Sequence, residues 1–310
     1  MVSYTAGYFI FLRSGTGKWY FSAVGNARSI DALDFATAEN EPDALLDVAV
    51  LDGVLIFLGT ESVEFWGATG DPDLPYAPIQ QRVFEQGVIA TGCVVVVDNS
   101  FVWIGADGIT YRNGEVPVAI SDDGIVERSK ASASHRLWLL EDERHKFLCQ
   151  RHDGNTMLYD VTTGEWSERQ SYGRSNWRAG PGLGDDETGT IWELDGYVDA
   201  GGVFERRLRA GARLDASAVV DNLRLLAEVG TTDYTTGDYT DPLIEMRVSN
   251  DAGNTWSTWE ETTLGDQGSY RERVEWRALG MFDDPGMLFE FRVTDPVGFR
   301  LSDVQINAAG

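Results

Sequence analysis

An apolar, strand-like tetrad recurs along the first two-thirds of the chain: FIFL from Phe9, LIFL from Leu55, VWIG from Val102, LWLL from Leu137 and IWEL from Ile191. Successive starts lie 46, 47, 35 and 54 residues apart. One small antiparallel sheet cannot bury both of its faces, so a unit repeated every ~40–50 residues must stack on its neighbours. For all-β units of that length the stacked solution is a radial β-propeller. The 34 glycines suit many tight turns, and long helical patterns are scarce. The pattern therefore predicts about five blade-like units between residues 1 and 213. On this reading the 35- and 54-residue intervals require a trimmed blade and an inserted loop.

The segments between tetrads carry hairpin chemistry. Asp107-Gly108 supplies the positive φ of a tight turn, Asn113-Gly114 closes the next one, and MLYDVTTGEWSE sets two strands around Thr162-Thr163-Gly164. No helix longer than about three turns is expected. The best candidate is Pro42–Leu46, with Asp43 in its first turn.

After ERRLRAGARLD the pattern changes to period two. Leu223, Leu225 and Ala227 share one face, as do Ile244, Met246 and Val248. Val274, Trp276 and Ala278 alternate with Arg273, Glu275 and Arg277, and Phe289, Phe291 and Val293 alternate with Glu290 and Arg292. Such alternation means antiparallel sheets with one buried face and a charged outer face, and about six strands in this length predict a small β-sandwich over 214–310. GTTDYTTGDYTDP within it reads as a long polar loop. A chain of 310 residues accommodates both domains, a large one over 1–213 and the smaller one after it.

Fifty acidic residues against 25 basic ones give a net charge of −25, with lysine only at positions 18, 130 and 146. That field repels phosphate backbones, so nonspecific nucleic-acid binding is disfavoured. The acid serves either solubility at high salt or a passage through which a polyanion slides without sticking. The longest clean apolar run, Cys93 to Val97, is far short of the ~18 residues of a membrane helix. Met1 is followed by the strand-like YFIFL without a basic leader, so the chain is expected to begin inside a folded unit. Cys93 and Cys149 lack metal-type spacing and read as buried thiols, a single bridge between them staying open.

The stretch VSNDAGNTWS has the Ser-x-Asp-x-Gly-x-Thr-Trp form of the Asp-box seen in sialidases and other carbohydrate-acting propellers. Ser249, Asp251, Gly253, Thr255 and Trp256 make a hairpin: the carboxylate accepts turn N–H groups, the glycine takes a left-handed conformation, and the tryptophan packs on the sheet. None of these roles is chemical, so a structural hairpin outweighs sugar hydrolysis. His145, Cys149 and His152 in HKFLCQRH cannot converge on a metal, because on a strand His152 points away from the other two. Asp71 and Asp73, Asp122 and Asp123, and Asp185, Asp186 and Glu187 could bind calcium, but none fits an EF-hand loop and solvated turns are the plainer reading. Arg206, Arg207, Arg209 and Arg213 form the one basic patch, at the inferred domain junction, where contact with an acidic neighbour competes with an ordinary exposed strand. No Ser-His-Asp ordering, P-loop, GxGxxG or HExxH is present, and neither an enzyme activity nor a cofactor is expected.

Three long segments together carry a resemblance: LDFATAENEPDALLDVAVLDGVLIFLGTESVEFWGATGDPDLPYAPIQQRVFEQGV, VDNSFVWIGADGITYRNGEVPVAIS, and VSNDAGNTWSTW through YRERVEWRALG and LFEFRVTDPVGFRLSDVQI. In this order they resemble the packaged-DNA stabilization proteins, or tail hub (nozzle) proteins, of short-tailed bacteriophages, over about four-fifths of the chain. The resemblance implies a non-enzymatic protein of the virion tail, assembled in the host cytoplasm. It implies a hexameric ring below the portal and its adaptor that carries a tail needle or tip and tailspikes or fibres. Such a ring closes the channel that holds DNA until ejection, and the DNA passes without specific binding. Members of that family usually carry a considerable segment before the point matching Met1. The propeller is then closed by fewer blades, or a companion chain completes it, or a domain has been lost; unpaired sheet edges favour a companion. Two competing readings are a sialidase-like or lectin-like glycan-binding propeller and a generic acidic scaffold module.

Overall fold

The computed structural model describes residues 1–310 apart from 39–42, 143–144, 154, 170–176, 180–182, 186–187, 193–195, 200–201, 213–216, 232–238, 284–285 and 310. The chain divides into two compact units, Met1–Glu193 and Leu194–Gly310.

The first unit is a series of antiparallel meanders. The first sheet holds β1 (Val2–Thr5), β2 (Tyr8–Leu12), β3 (Lys18–Phe21) and β4 (Phe35–Thr37) in that order. The second holds β5 (Leu45–Leu51), β6 (Val54–Gly59), β7 (Val63–Ala68) and β8 (Tyr76–Phe84), and the third holds β9 (Val94–Val97), β10 (Ser100–Ile104), β11 (Thr110–Arg112) and β12 (Val118–Ala119). A helix, α1 (Asp123–Ala131), precedes the fourth: β13 (Arg136–Asp142), β14 (His145–His152), β15 (Asn155–Asp160) and β16 (Trp166–Arg169). A three-stranded fifth sheet follows, β17 (Trp177–Ala179), β18 (Leu183–Asp185) and β19 (Ile191–Trp192). First strands of successive sheets are neighbours, β1 with β5, β5 with β9, β9 with β13 and β13 with β17. That is how propeller blades are arranged.

The repeat is more regular than the tetrads suggest. In the first three sheets the first and second strands are joined by Ala6-Gly7, Asp52-Gly53 and Asp98-Asn99, all with positive φ, as in two-residue type I′ turns. The second strands begin at Tyr8, Val54, Ser100 and His145, intervals of 46, 46 and 45 residues. FIFL, LIFL and VWIG lie in second strands, whereas LWLL lies in β13 and IWEL begins at β19, a first and a third strand. The 35- and 54-residue intervals arise from this slip between strands, and the fourth sheet is not trimmed.

Pro42 lies outside the described residues, and Leu45 opens β5 rather than continuing a helix. The helix sits instead at SDDGIV, where the Asp122 carboxylate accepts a hydrogen bond from Ile125 N at 2.9 Å. Its Ser129 Oγ accepts a bond from Gln150 Nε2 at 2.9 Å, while Gln150 Oε1 accepts one from Thr110 Oγ1 at 2.6 Å. This buried polar chain ties β11, α1 and β14 together.

Aromatic rings fill the seams between sheets. Trp19 stacks on Phe57 at 5.1 Å and meets Trp66 edge-on at 5.4 Å, and Phe84 stacks on Trp103 at 6.0 Å. Near the first strands the buried Asp47 carboxylate accepts bonds from Gly92 N at 2.7 Å and Val48 N at 2.9 Å, clasping β5 to the start of the third sheet. Burial raises its pKa despite those two bonds.

The second unit is a sandwich of two antiparallel sheets. Its strands are β20 (Arg206–Ala212), β21 (Ala218–Ala227), β22 (Leu243–Ser249), β23 (Glu260–Thr263), β24 (Val274–Phe282), β25 (Met287–Val293) and β26 (Leu301–Ala309). They pair as β20-β25-β22-β23 and β24-β21-β26. Leu223, Leu225, Ile244, Met246, Trp276, Phe289 and Phe291 form its buried core. Because β20 pairs with β25 from Arg206↔Val293 to Ala212↔Met287, the division falls ahead of this strand rather than at 213/214. Ala278 departs from the expected alternation: it is exposed with φ 57, beside a register shift between Val220 and Asn222 that marks a bulge. Glu290 departs further, as it is fully buried.

Candidate functional site

The Asp-box turn follows β22, and its aspartate is the knot. Asp251 Oδ1 accepts bonds from Thr255 N at 2.8 Å and Ser249 Oγ at 2.8 Å, and Oδ2 accepts one from Thr255 Oγ1 at 2.6 Å. Gly253 N donates to Ser249 Oγ at 2.9 Å, with φ at 89°. The threonine bonds, with help from Ser249, hold the Asp251 pKa down at about 2, so this carboxyl is an acceptor and no proton donor. Trp256 Nε1 donates to Gly253 O at 3.1 Å, which fixes the indole over the neighbouring sheet.

Under that indole lies a ladder of charge. On one face of the β20-β25-β22 sheet, Arg209 and Arg247 sit directly across from Glu290, and Arg207 and Glu245 directly across from Arg292. Arg209 Nε donates to Glu290 Oε1 at 2.7 Å, and Arg247 donates to Glu290 Oε2. Arg292 grips Glu245 through two bonds of 2.6 Å, and Arg207 pairs with Glu205. Burial would raise the Glu290 pKa, but the Arg209 and Arg247 guanidinium groups outweigh it and leave the carboxyl below its usual range. Trp256 covers Arg247 at 4.7 Å and Arg209 at 5.6 Å, while Trp259 covers Arg247 at 4.5 Å and Arg292 at 4.1 Å. Cation–π contacts of this kind add most where the guanidinium is shielded from water, as at Arg247 and Arg292.

The basic patch is thus largely spent within the sandwich. Arg206 donates to Val297 O and Asp295 O, both at 2.6 Å; Arg207 and Arg209 serve the ladder; Arg213 lies outside the described residues. Both Glu290 oxygens are engaged by guanidinium groups, and no cysteine or histidine lies among the ladder's partners. The arrangement can hold a sheet rigid; it has no group poised to attack or to transfer a proton. Sequence reasoning missed Glu290, Arg247, Arg292, Glu245 and Trp259. Their signal was the i, i+2 charge pairs Arg207/Arg209, Glu245/Arg247 and Glu290/Arg292, together with the two tryptophans three residues apart.

The other candidates resolve individually. His145 pairs with Asp160 at 2.7 Å, Cys149 is buried near Trp138 and Leu158, and His152 lies on the opposite face of β14, buried. Burial pushes the Cys93 and Cys149 thiols up to about 12, and both are free. Asp71 accepts Asp73 N at 2.9 Å in a local turn, and Asp122 caps α1. Asp185 ends β18, while Asp186 and Glu187 lie outside the described residues. Among the described residues no group of three His, Cys, Asp or Glu side chains could hold a metal ion, and no helix is long and apolar enough to cross a membrane.

Two family models match this architecture in order. One described as bacteriophage P22 Gp10, beta-propeller, covers residues 2–169, and one described as bacteriophage P22 Gp10, beta-sandwich, covers residues 205–309. No curated protein matches. Among solved structures, the exo-beta-1,3-galactanase of Phanerochaete chrysosporium in complex with galactose is similar over 99% of this chain and 95% of that chain, at 11% identity and a TM-score of 0.33. That likeness is too slight to bear on fold or activity.

Proposed function

The chain belongs to the bacteriophage P22 Gp10 family, a virion structural family, and from that premise we propose that it is the tail hub of a short-tailed phage. The carrying observation is the ordered pair of matched domains, propeller then sandwich, over most of the chain. In this reading six copies form a ring below the portal and adaptor, close the DNA channel, and anchor a needle or tip and the spikes or fibres. The role is mechanical and electrostatic, with no catalytic step, and the ion-pair ladder suits a part that must stay rigid under load. Six chains of −25 sum to −150, and acid facing the bore would deny the DNA backbone a surface to adhere to.

The test is a particle lacking the chain. Capsids should package DNA and then lose it to added nuclease, and restoring the chain should restore retention and a ring density below the adaptor. Particles that hold their DNA without it, or a purified chain that never associates with portal and adaptor, would end the proposal.

A further inference from the structure

The connection from Ala119 to Arg136 is longer than those from Thr37 to Leu45 and from Phe84 to Val94. Its extra length is α1 and the segment Ser132–His135, which together lie on one face of the fourth sheet. Ser129 bonds Gln150 on β14, and the Arg128 guanidinium lies 3.8 Å from Met157 Sδ on β15 and 3.3 Å from Glu168 Oε2 on β16. Ser132 Oγ accepts a bond from Asp153 N at 2.8 Å, and Asp153 Oδ2 accepts one from Ala133 N at 2.6 Å. α1 has nine residues and buries only Ile125 and Ser129. A helix so short does not persist alone in water, so polar bonds to the sheet, more than an apolar stripe, keep this lid down.

Under the lid lies His152, 2% exposed, with neither ring nitrogen bonded. The register Arg136↔Arg151 sets His135 across from it at the next position, and the two rings meet edge to face at 6.2 Å. His135 Nδ1 is buried without a partner as well, while a backbone bond to Ser132 ties this ring to the lid. β13 and β15 bring Leu137 and Met157 to the same face, both directly across from Gln150. Among the described residues the charged groups around His152 are Arg128 from α1, His135 ahead of β13 and Asp153 in the turn after β14. Glu168 of β16 reaches Arg128. A proton on His152 would add a second cation beside Arg128, against one carboxylate that Ala133 already engages. A buried polar ring without a partner is costly, and a buried unpaired charge is costlier.

We infer that α1 and Ser132–His135 form an acid-released latch: protonation of His152 lifts this lid off the fourth sheet and breaks the Thr110–Gln150–Ser129 chain, while the sheets stay folded. The closed lid holds the ring neutral, with its pKa lowered to about 4, mainly by burial. Once the lid lifts, the ring meets water and binds a proton at its ordinary ~6.5. Closure is therefore fully stabilised above that value and weakens as pH falls toward about 4. The latch stands apart from the hub reading, and the purified full chain tests it.

The experiment is hydrogen exchange by mass spectrometry between pH 7 and 5, corrected for the intrinsic pH dependence of the chemistry. Carboxylates stay ionised in that window. Peptides spanning 123–135 should open at least about 20-fold more often at pH 5 than at pH 7. At pH 5 they should also open at least tenfold more often than peptides of β6 and β7, which marks a local event. His152→Leu, with an unchanged far-ultraviolet spectrum, should hold the pH effect below fivefold. A wild-type change below fivefold, opening at the same level as β6 and β7, or a folded variant that keeps a change of fivefold or more overturns the proposal. If the variant does not fold, nuclear magnetic resonance of the wild-type imidazoles decides, His145→Gln and His135→Gln serving for assignment. The His152 ring of the closed chain should stay neutral at pH 5, and one that titrates near 6.5 with the lid still protected overturns the proposal.

Discussion

Replacing Glu290 by Gln tests whether the ladder is a structural brace. Glu290 is 0% exposed and lies between Arg209, 63% exposed, and Arg247, 21% exposed. Breaking a buried ion pair costs ~3–5 kcal/mol when the stranded charge stays buried. Arg209 can turn into water, but Arg247 is held between Trp256 and Trp259 and would face an amide with one acceptor in place of a carboxylate with two. The expected loss is therefore about 2–3 kcal/mol, a factor of roughly 30–150 in the opening equilibrium. Hydrogen exchange of peptides spanning β22 and β25 reads this locally, without requiring the two units to unfold as one. Arg277→Ala removes an exposed pair with Glu275 and should leave exchange unchanged. The sign with pH follows from the lowered carboxyl pKa: the contribution is complete above the unfolded value of ~4.3 and is lost as pH falls through the folded one. The wild type and Glu290→Gln should therefore converge in acid. Exchange within threefold of the wild type at pH 7 would refute the reasoning.

Three further outcomes are expected. Asp251→Ala should speed exchange at 250–257 while the rest of the sandwich stays protected, and the wild-type hairpin should loosen as pH falls from ~3.9 through about 2. His152, 2% exposed with neither ring nitrogen bonded, has its pKa lowered to about 4 by burial, then by His135 and Arg128. The unfolded chain binds this proton first, so first-unit stability should fall by up to ~3 kcal/mol between pH 6.5 and 4, and His152→Leu should flatten that slope in urea titrations. Gly87→Ala would bring a Cβ within 2.3 Å of the Thr60 backbone, and urea midpoints should report a loss of ~2–4 kcal/mol.

The sequence by itself determined the propeller's period and the sandwich's alternation, because both follow from which residues must leave water. Tight turns such as Asp107-Gly108 were legible for the same local reason: Gly108 takes φ 83. It also showed the Asp-box as a turn, since the partners of Asp251 lie within four residues of it. The strand to which each tetrad belongs was decided only by pairing: LWLL sits in the first strand of its sheet, β13, although FIFL, LIFL and VWIG sit in second strands, and position within a sheet depends on partner strands. α1 was hidden because its mean hydropathy is low and only Ile125 and Ser129 are buried. Glu290 was read as an outward-facing charge, and by alternation it is one. Its burial comes from Arg209 and Arg247 on two other strands, 81 and 43 residues away, and from an indole carried in by the hairpin. The energy of a charge depends on what the tertiary fold places beside it, and no local pattern encodes that.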